Sequence, residues 1–252
     1  MIIIKNEEVA NIESLIVESK ENEGKPLPTV VFYHGFQSAK ENNLTLAFLL
    51  AEKDYRVILP DSLYHGKRSK GLTNEEMSLS FWEILLSNIK ELKNIKESLE
   101  LKKLILDDRI GVAGTSMGGV TTSALLKKYD WIKTGVVLMG SPQLINFGKL
   151  LIEDFNRGSE KQISLEEEYQ ILNQLKPYDL SEDTQALLNR PIMFWHGFKD
   201  EVVPINYSED FVKELKLSSY SGDVEMLKEK DRGHHLSRYS ILETVKWFEK
   251  YL

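Results

Sequence analysis

A serine flanked by glycines is the residue in this chain whose setting most clearly suggests chemistry. The stretch Gly114-Thr115-Ser116-Met117-Gly118 follows the apolar run 110–113 and precedes a segment with a helical pattern. We therefore predict a strand, a tight turn and a helix, with Ser116 at the apex of the turn. The glycines leave room for a strained backbone because they lack a Cβ atom. This pattern is typical of a nucleophile elbow, although a glycine-rich turn without chemistry is the alternative.

A nucleophilic serine requires a histidine as general base and a carboxylate that orients the histidine. In one common chain order, the acid and then the base follow the serine. Asp200 is the predicted acid, because it follows a strand ending at Trp195, where open α/β sheets place their sites. His234 is the predicted base, because the preceding Gly233 permits a tight turn into the site.

Other residues compete for both positions. Glu201 neighbours the predicted acid, whereas Asp179 and Asp183 follow no predicted strand and are weaker candidates. His235 neighbours the predicted base, and two adjacent loop histidines cannot both face the serine. We expect His235 to be a loop or pocket-wall residue and keep it as the alternative base.

An oxyanion needs two hydrogen-bond donors, and backbone amides are suited to this. The Met117 amide would face the same space as the serine hydroxyl. The second donor is predicted at the backbone N–H of Phe36, because the apolar run 29–33 leads into His34-Gly35-Phe36. His34 is expected to bind loop carbonyls and hold this loop in place.

Asp61 and His65 lie four residues apart and could suggest a metal site. No further ligand cluster accompanies them, so a hydrogen bond that stabilises the loop is the preferred interpretation. His196 is likewise expected to be structural.

Strand-like and helix-like segments alternate along the chain, which predicts a mainly parallel sheet with helices on both faces. Residues 1 to about 20 are predicted to form an antiparallel hairpin at the sheet edge. Further strands are predicted at 29–33, 56–60, 110–113, 134–139, 191–195 and 223–228. Helices are predicted at about 43–54, 74–101, 120–129, 206–216 and 237–251. Asn74 or Ser80 could cap the start of the longest helix or the start of its second half.

Residues 143 to about 189 interrupt this alternation, because they contain helix-like stretches and no predicted strand. Their composition does not mark a separate domain, so we predict a single domain over residues 1–252. A helical insertion above the strand ends would cover the site as a lid. Extra helical packing on the flank of the sheet is the alternative.

Composition excludes several function classes. The 252 residues carry a formal net charge of -7, which argues against nucleic acid or an anionic membrane surface as the main partner. Cysteine is absent, which excludes disulfides, thiolate zinc sites and a cysteine nucleophile. The apolar start is too short for a signal peptide, and no stretch approaches a membrane span. A soluble, cytoplasmic protein is therefore expected.

The motifs form an ordered set: Phe32-Tyr33-His34-Gly35-Phe36, Pro60-Asp61, His65-Gly66, Asp108-Arg109-Ile110, Gly114 to Gly119, Trp195-His196-Gly197, Asp200, Val203-Pro204 and His234. Over nearly the whole chain this set resembles the α/β-hydrolase superfamily. It looks more closely like a bacterial group of small intracellular carboxylesterases, related to dienelactone-hydrolase and prolyl-oligopeptidase-type serine hydrolases. A dienelactone hydrolase proper would carry a cysteine nucleophile.

The resemblance implies an α/β-hydrolase fold and hydrolysis of small-molecule esters with short acyl chains, without metal or organic cofactor. The implied catalytic triad is Ser116, Asp200 and His234, with the amides of Phe36 and Met117 as oxyanion donors. The protein is expected to be a monomer or a homodimer. A peptidase or thioesterase with the same triad is one alternative, and Glu153, Asp154 or Glu166 could then anchor a free amino terminus. A non-catalytic ligand-binding protein on a hydrolase fold is the other.

Overall fold

Eight strands and eight helices make up the computed structural model, which describes every residue from Met1 to Leu252. The strands are β1 Ile2–Val9, β2 Ile12–Ser19, β3 Leu27–Tyr33, β4 Arg56–Pro60, β5 Ile105–Thr115, β6 Thr134–Leu138, β7 Ile192–Gly197 and β8 Val224–Glu229. The helices are α1 Leu44–Ala51, α2 Asn74–Leu79, α3 Phe81–Leu101, α4 Met117–Lys128, α5 Leu144–Gly158, α6 Leu165–Leu175, α7 Asn206–Leu217 and α8 Arg238–Tyr251. None of these helices has the length and apolar character required to cross a membrane.

The strands form one sheet in the order β1-β2-β4-β3-β5-β6-β7-β8. The N-terminal hairpin pairs β1 with β2 antiparallel and joins the edge through an antiparallel pairing of β2 with β4. The other five pairs are parallel. The predicted mainly parallel α/β sheet is confirmed. Because its parallel strands share one direction, the loops at their carboxyl ends gather along one edge.

Strand periodicity divides the core into two layers. Val31 and Tyr33 of β3 point into a cluster with α3, α4 and α7, whereas Val30 and Phe32 point into a cluster with α1 and α8. Successive side chains of a strand face opposite sides, so a strand buried on both faces is apolar throughout. All seven residues of β3 are buried, which explains its continuous apolar sequence.

The predicted helix over 74–101 is in fact two helices, with a break at Ser80. The first helix is capped by Thr73 and not by Asn74: the Thr73 hydroxyl accepts the amide of Glu76, whose carboxylate accepts the Thr73 amide. This capping box fixes the helix start. The Ser80 hydroxyl donates back to the Glu76 carbonyl, so it does not cap the second helix.

No strand lies between β6 and β7, where the sequence predicted a helical insertion. Helices α5 and α6 occupy this stretch, followed by three short 3₁₀ turns at 176–178, 180–182 and 184–187. The two helices approach closely at Gly148, where a Cβ atom would lie 2.9 Å from Leu172 Cδ2.

Arg190 joins the end of this segment to helix α4. Its guanidinium donates to five backbone carbonyls, and two of the acceptors, Leu126 and Tyr129, lie at the C-terminal end of α4. A cation at this position also offsets the negative end of the helix dipole. Burial lowers the pKa of Arg190 to about 10, so the side chain stays charged at neutral pH.

We predict that Arg190→Met lowers the free energy of unfolding by about 3 kcal/mol or more, because it leaves several buried carbonyls without a donor. Arg190→Lys should fall between this variant and wild type, since an ammonium offers fewer donors. Urea denaturation followed by circular dichroism measures the effect. Arg157→Met is the matched control, because its partner Asp154 lies three residues away on an exposed surface. Equal stability of Arg190→Met and the control would contradict the prediction.

Candidate active site

Ser116 lies between β5 and α4 in a backbone conformation that L-residues rarely adopt. Its φ is 56° and its ψ is -118°. Such a conformation costs on the order of 1–3 kcal/mol and persists only where the surroundings impose it. Here the Ser116 amide donates to the Leu138 carbonyl at 2.9 Å, and the Ser116 carbonyl accepts the Val120 amide at 2.9 Å. The turn is therefore held from β6 on one side and from α4 on the other.

The glycines around the serine are required by close packing of main chains. A Cβ atom on Gly118 would lie 2.0 Å from the Tyr33 carbonyl oxygen, and one on Gly114 would lie 2.3 Å from the Gly118 carbonyl group. Both distances are shorter than any non-bonded contact allows. The start of α4 therefore packs directly against the end of β3.

The structure brings Ser116, His234 and Asp200 into one hydrogen-bonded chain. His234 Nε2 lies 2.7 Å from Ser116 Oγ, and His234 Nδ1 lies 2.8 Å from Asp200 Oδ2. Asp200 is fully buried, whereas His234 is about one-fifth exposed. Because a carboxylate only accepts, the Nδ1 atom carries the proton and Nε2 is free to accept the serine hydroxyl proton.

The position of His234 depends on close packing, and the predicted role of Gly233 in a tight turn was only partly right. The φ of Gly233 is not positive, and a Cβ atom there would lie 3.2 Å from the Lys199 carbonyl oxygen. Glycine is more strictly required at position 197, because a Cβ atom there would lie 2.3 Å from the Arg232 carbonyl oxygen. The loops that carry the acid and the base therefore pack main chain against main chain.

His196 is a residue of this site whose contact the sequence analysis missed. Its Nε2 atom lies 3.1 Å from Asp200 Oδ2 and 2.9 Å from the Val203 carbonyl oxygen. Both neighbours are acceptors, so Nε2 carries a proton that these two groups share. The signal in the sequence was the spacing of four residues between His196 and Asp200 at the end of a strand.

Asp200 accepts hydrogen bonds on both oxygens. The amides of Val202 and Val203 donate to Oδ1, at 2.9 and 3.0 Å, while the two histidines face Oδ2. Burial by itself would raise the pKa of Asp200, but these donors outweigh it and hold the pKa well below its usual range. The carboxylate is therefore ionised at neutral pH.

Phe36 and Met117 both line the cavity beside Ser116. The Phe36 amide donates to no acceptor within the protein, and Met117 is the first residue of α4, where amides have no intrahelical partner. A Cβ atom on Gly35 would lie 3.5 Å from Ser116 Cβ, so the loop after β3 packs against the serine.

Two buried histidines tie the loop after β3 to the loop after β4. His34 Nδ1 donates to the Gly35 carbonyl at 2.8 Å, and its Nε2 accepts the Ser62 amide at 3.0 Å. The Gly35 carbonyl shares a trans peptide with the Phe36 amide, so fixing one sets the direction of the other. His65 Nε2 accepts the Gln37 amide at 2.9 Å. Burial lowers the pKa of His34 to about 4, so this ring is neutral at pH 7.

The alternative candidates for the catalytic acid lie away from the site histidines. Asp179 is buried and accepts the Ile145 amide at the start of α5, and Asp183 pairs with Lys127. Glu201 is exposed and makes no contact with the site histidines. Asp179 and Asp183 therefore stabilise the insertion.

Two further residues that the sequence singled out lie outside the hydrogen-bonded chain. His235 is exposed, with its ring near Arg232 and not near the serine. The buried carboxylate of Asp61 pairs with Lys40 at 2.5 Å and accepts the Lys67 amide, so it stabilises its own loop. Across the chain no group of three histidine, cysteine or acidic residues is arranged to hold a metal ion.

A cavity of about 890 Å³ opens beside Ser116. Its walls come from the loop after β3, from α2 and the start of α3, and from the insertion helices α5 and α6. The insertion therefore contributes directly to the space that a molecule at Ser116 would occupy.

Comparisons with known proteins identify related sequences and a related fold. The model of the prolyl oligopeptidase family matches residues 86–252. "Putative esterase YitV" of Bacillus subtilis is 42% identical over 256 residues and covers both chains fully. Esterase YjfP of Escherichia coli is 31% identical over 208 residues, or 82% of each chain. The crystal structure of TT1662 from Thermus thermophilus superposes with a TM-score of 0.79 over 99% of this chain and 98% of that one; at 18% identity it shows the fold alone.

We predict that stability falls by about 2 kcal/mol between pH 7 and pH 5 on account of His34. The folded-state pKa is depressed to about 4, so in this interval the unfolded chain binds a proton that the folded protein excludes. Burial also lowers the pKa of His65, which adds to the effect in the same direction. Urea denaturation at the two pH values measures the loss.

His34→Gln should show a smaller loss over the same interval, because glutamine keeps a donor and an acceptor but does not titrate. The exposed His235→Gln is the control and should retain the wild-type dependence. An unchanged dependence in His34→Gln would show that this histidine is not the group responsible.

Proposed function

Because the chain belongs to the prolyl oligopeptidase family of serine hydrolases, we propose that it is a serine esterase that uses Ser116, His234 and Asp200. The single observation that carries the proposal is the 2.7 Å contact between Ser116 Oγ and His234 Nε2, with Asp200 behind the ring. The names of the two curated relatives favour an ester substrate. The short acyl chains expected from the sequence belong to this proposal as well.

Acylation is the first half of the proposed reaction. Ser116 Oγ attacks the ester carbonyl carbon while His234 Nε2 takes the hydroxyl proton. Asp200 keeps the proton on Nδ1 and stabilises the imidazolium that forms. The amides of Phe36 and Met117 bind the oxyanion, and removal of one such donor typically costs about 10²–10³ in turnover. His234 then protonates the leaving alcohol as the carbonyl re-forms.

Deacylation repeats these roles with water. His234 removes a proton from water as the oxygen attacks the acyl-serine carbonyl, and it returns a proton to Ser116 Oγ as the acid product leaves. The strained backbone at Ser116 supports this role, because it presents the hydroxyl toward the imidazole and away from the packed helix.

We assign the insertion, residues 143 to about 189, the role of a lid within one domain over residues 1–252. Phe147, Ile152 and Phe155 of α5 and Ile171 of α6 line the cavity beside Ser116, which supports a covering role. Packing on the flank of the sheet would not by itself bring these side chains to the serine.

The chief alternative is a peptidase with the same triad, and the name of the matching family favours it. Of the residues suggested as anchors for a free amino terminus, Asp154 lines the cavity, but it pairs with Arg157 at 2.5 Å. Aminoacyl p-nitroanilides assayed beside p-nitrophenyl esters separate the two activities, because only a peptidase should hydrolyse the anilides at a comparable rate.

We predict that Ser116→Ala lowers kcat for p-nitrophenyl ester hydrolysis by about 10⁴-fold or more, as loss of a triad nucleophile does in related chemistry. A fluorophosphonate probe should label the native protein and fail to label this variant. Ser123→Ala is the matched control, since Ser123 lies on the same helix and its hydroxyl contacts only the Gly119 carbonyl. Wild-type turnover in Ser116→Ala would overturn the mechanism.

His234→Ala and His235→Ala distinguish the two candidate bases. We expect loss of turnover in the first variant and near wild-type turnover in the second, because only His234 contacts the serine. The opposite result would identify His235 as the base.

A further prediction concerns the second histidine on Asp200. His196→Phe keeps a ring but removes a donor, so kcat/KM should fall by about tenfold, the effect of one hydrogen bond to a charged group. With fewer donors Asp200 becomes more basic and favours protonated His234. The acid limb of the kcat/KM profile should therefore move to higher pH. A fall in activity with an unmoved acid limb would limit His196 to packing. His235→Phe serves as the control.

A further inference from the structure

The cavity beside Ser116 is much larger than a short acyl chain requires. Its volume of about 890 Å³ lies toward the upper end of the range for pockets that enclose drug-sized molecules. Just over half of the lining residues are hydrophobic. Most of this space would stay unfilled around an acetyl or butyryl ester.

An aromatic wall, formed by Phe36, Phe81, Trp82 and Phe147, runs along the cavity from the serine. The ring centroids of Phe36 and Phe81 lie 5.4 Å apart, and those of Phe81 and Phe147 lie 6.2 Å apart. Trp82 packs edge-on against Phe81 at 4.7 Å. Such tilted and edge-to-face pairs are favourable, so the wall is already formed before a substrate binds.

The wall begins at the reacting centre. Phe36 contributes its side chain to the wall and its amide to the proposed oxyanion site, so a group bound along the wall lies next to the ester bond. Leu151 and Ile152 continue the apolar surface on the side of α5. Binding of a substrate's apolar groups is stabilised in proportion to the apolar area that this surface removes from water.

The charged residues that line the cavity are all acidic: Glu75, Asp154, Glu160 and Glu167. Some of these carboxylates already have protein partners. Asp154 pairs with Arg157, and Glu75 accepts the Ser159 hydroxyl and lies 4.0 Å from Lys161. Glu167 forms the cap of α6. We therefore treat them as a negative field that repels anions, not as a binding site for a cation.

From this cavity we infer that the substrate is an uncharged ester with a bulky apolar group, an aromatic ring or a chain of about eight carbons, on its acyl or its alcohol side. Esters that carry a carboxylate are poor substrates. The inference rests on the proposed esterase function and replaces its short-chain expectation with a class defined by the cavity.

The test compares kcat/KM for p-nitrophenyl acetate, butyrate and octanoate, with octyl acetate as the alcohol-side arm. We expect octanoate or octyl acetate to exceed the corresponding short ester by about tenfold or more, since each added methylene group is buried against the wall. The acid monoester p-nitrophenyl hemisuccinate matches the butyrate ester in acyl length and should be hydrolysed about tenfold more slowly or worse.

Two variants test the wall itself. Phe147→Ala should lower kcat/KM for octanoate several-fold more than kcat/KM for acetate, through a higher KM for octanoate. Leu151→Ala, at a half-buried position, gives the same comparison with less risk to folding. Phe198→Ala, at an exposed phenylalanine that does not line the cavity, is the control.

Two outcomes would contradict the inferred substrate class and still be consistent with the proposed esterase function. One is a steady fall in kcat/KM from acetate to octanoate together with octyl acetate below ethyl acetate. The other is faster hydrolysis of the hemisuccinate than of the butyrate ester. Failure of the proposed function is distinct, because then no ester in the series would show hydrolysis that Ser116→Ala abolishes.

Discussion

The approach of the end of β3 to the start of α4 is the constraint on which the rest of the site depends. Only a glycine at position 118 fits, because a Cβ atom there would lie 2.0 Å from the Tyr33 carbonyl oxygen. This contact sets the serine at the start of α4 beside the loop after β3. Phe36 and Met117, which come from distant parts of the sequence, consequently line one cavity. A side chain at position 118 would separate the two elements and with them the two amides.

The five histidines show how contacts decide what one residue type does. His34 and His65 form hydrogen bonds only with backbone groups, and burial lowers the pKa of each, so both remain neutral supports of the loop after β3. His196 and His234 both face one oxygen of Asp200. Only His234 also reaches the serine, and it is the more exposed of that pair. Asp200 thus holds both imidazole rings in position, and only the ring of His234 lies within hydrogen-bond distance of the serine.

Sequence patterns predicted those features that depend on local spacing. The elbow, the apolar strands and the final helix are determined by residues close together in the chain. The carboxyl ends of parallel strands indicated the positions of Asp200 and His234. Ser80 was named as a possible start of a second half, but the helix was predicted as continuous because an amphipathic pattern crosses this position. The capping box at Thr73 determines the start of the first helix. The contact of His196 with Asp200 depends on how the loop turns, which spacing alone does not specify. The cavity escaped prediction because its walls come from five separate segments.

The break at Ser80 also links helix geometry to the cavity. A single helix over 74–101 would continue straight past the site, whereas the new start at Phe81 brings Phe81 and Trp82 into the wall opposite α5. Phe36 completes that wall while its own main chain faces the proposed oxyanion. In the proposed mechanism, recognition of an apolar group and stabilisation of the developing charge therefore share one residue. In this arrangement the sheet and its glycines determine which bond is attacked, whereas α3 and the insertion determine which molecule can bring that bond to the serine.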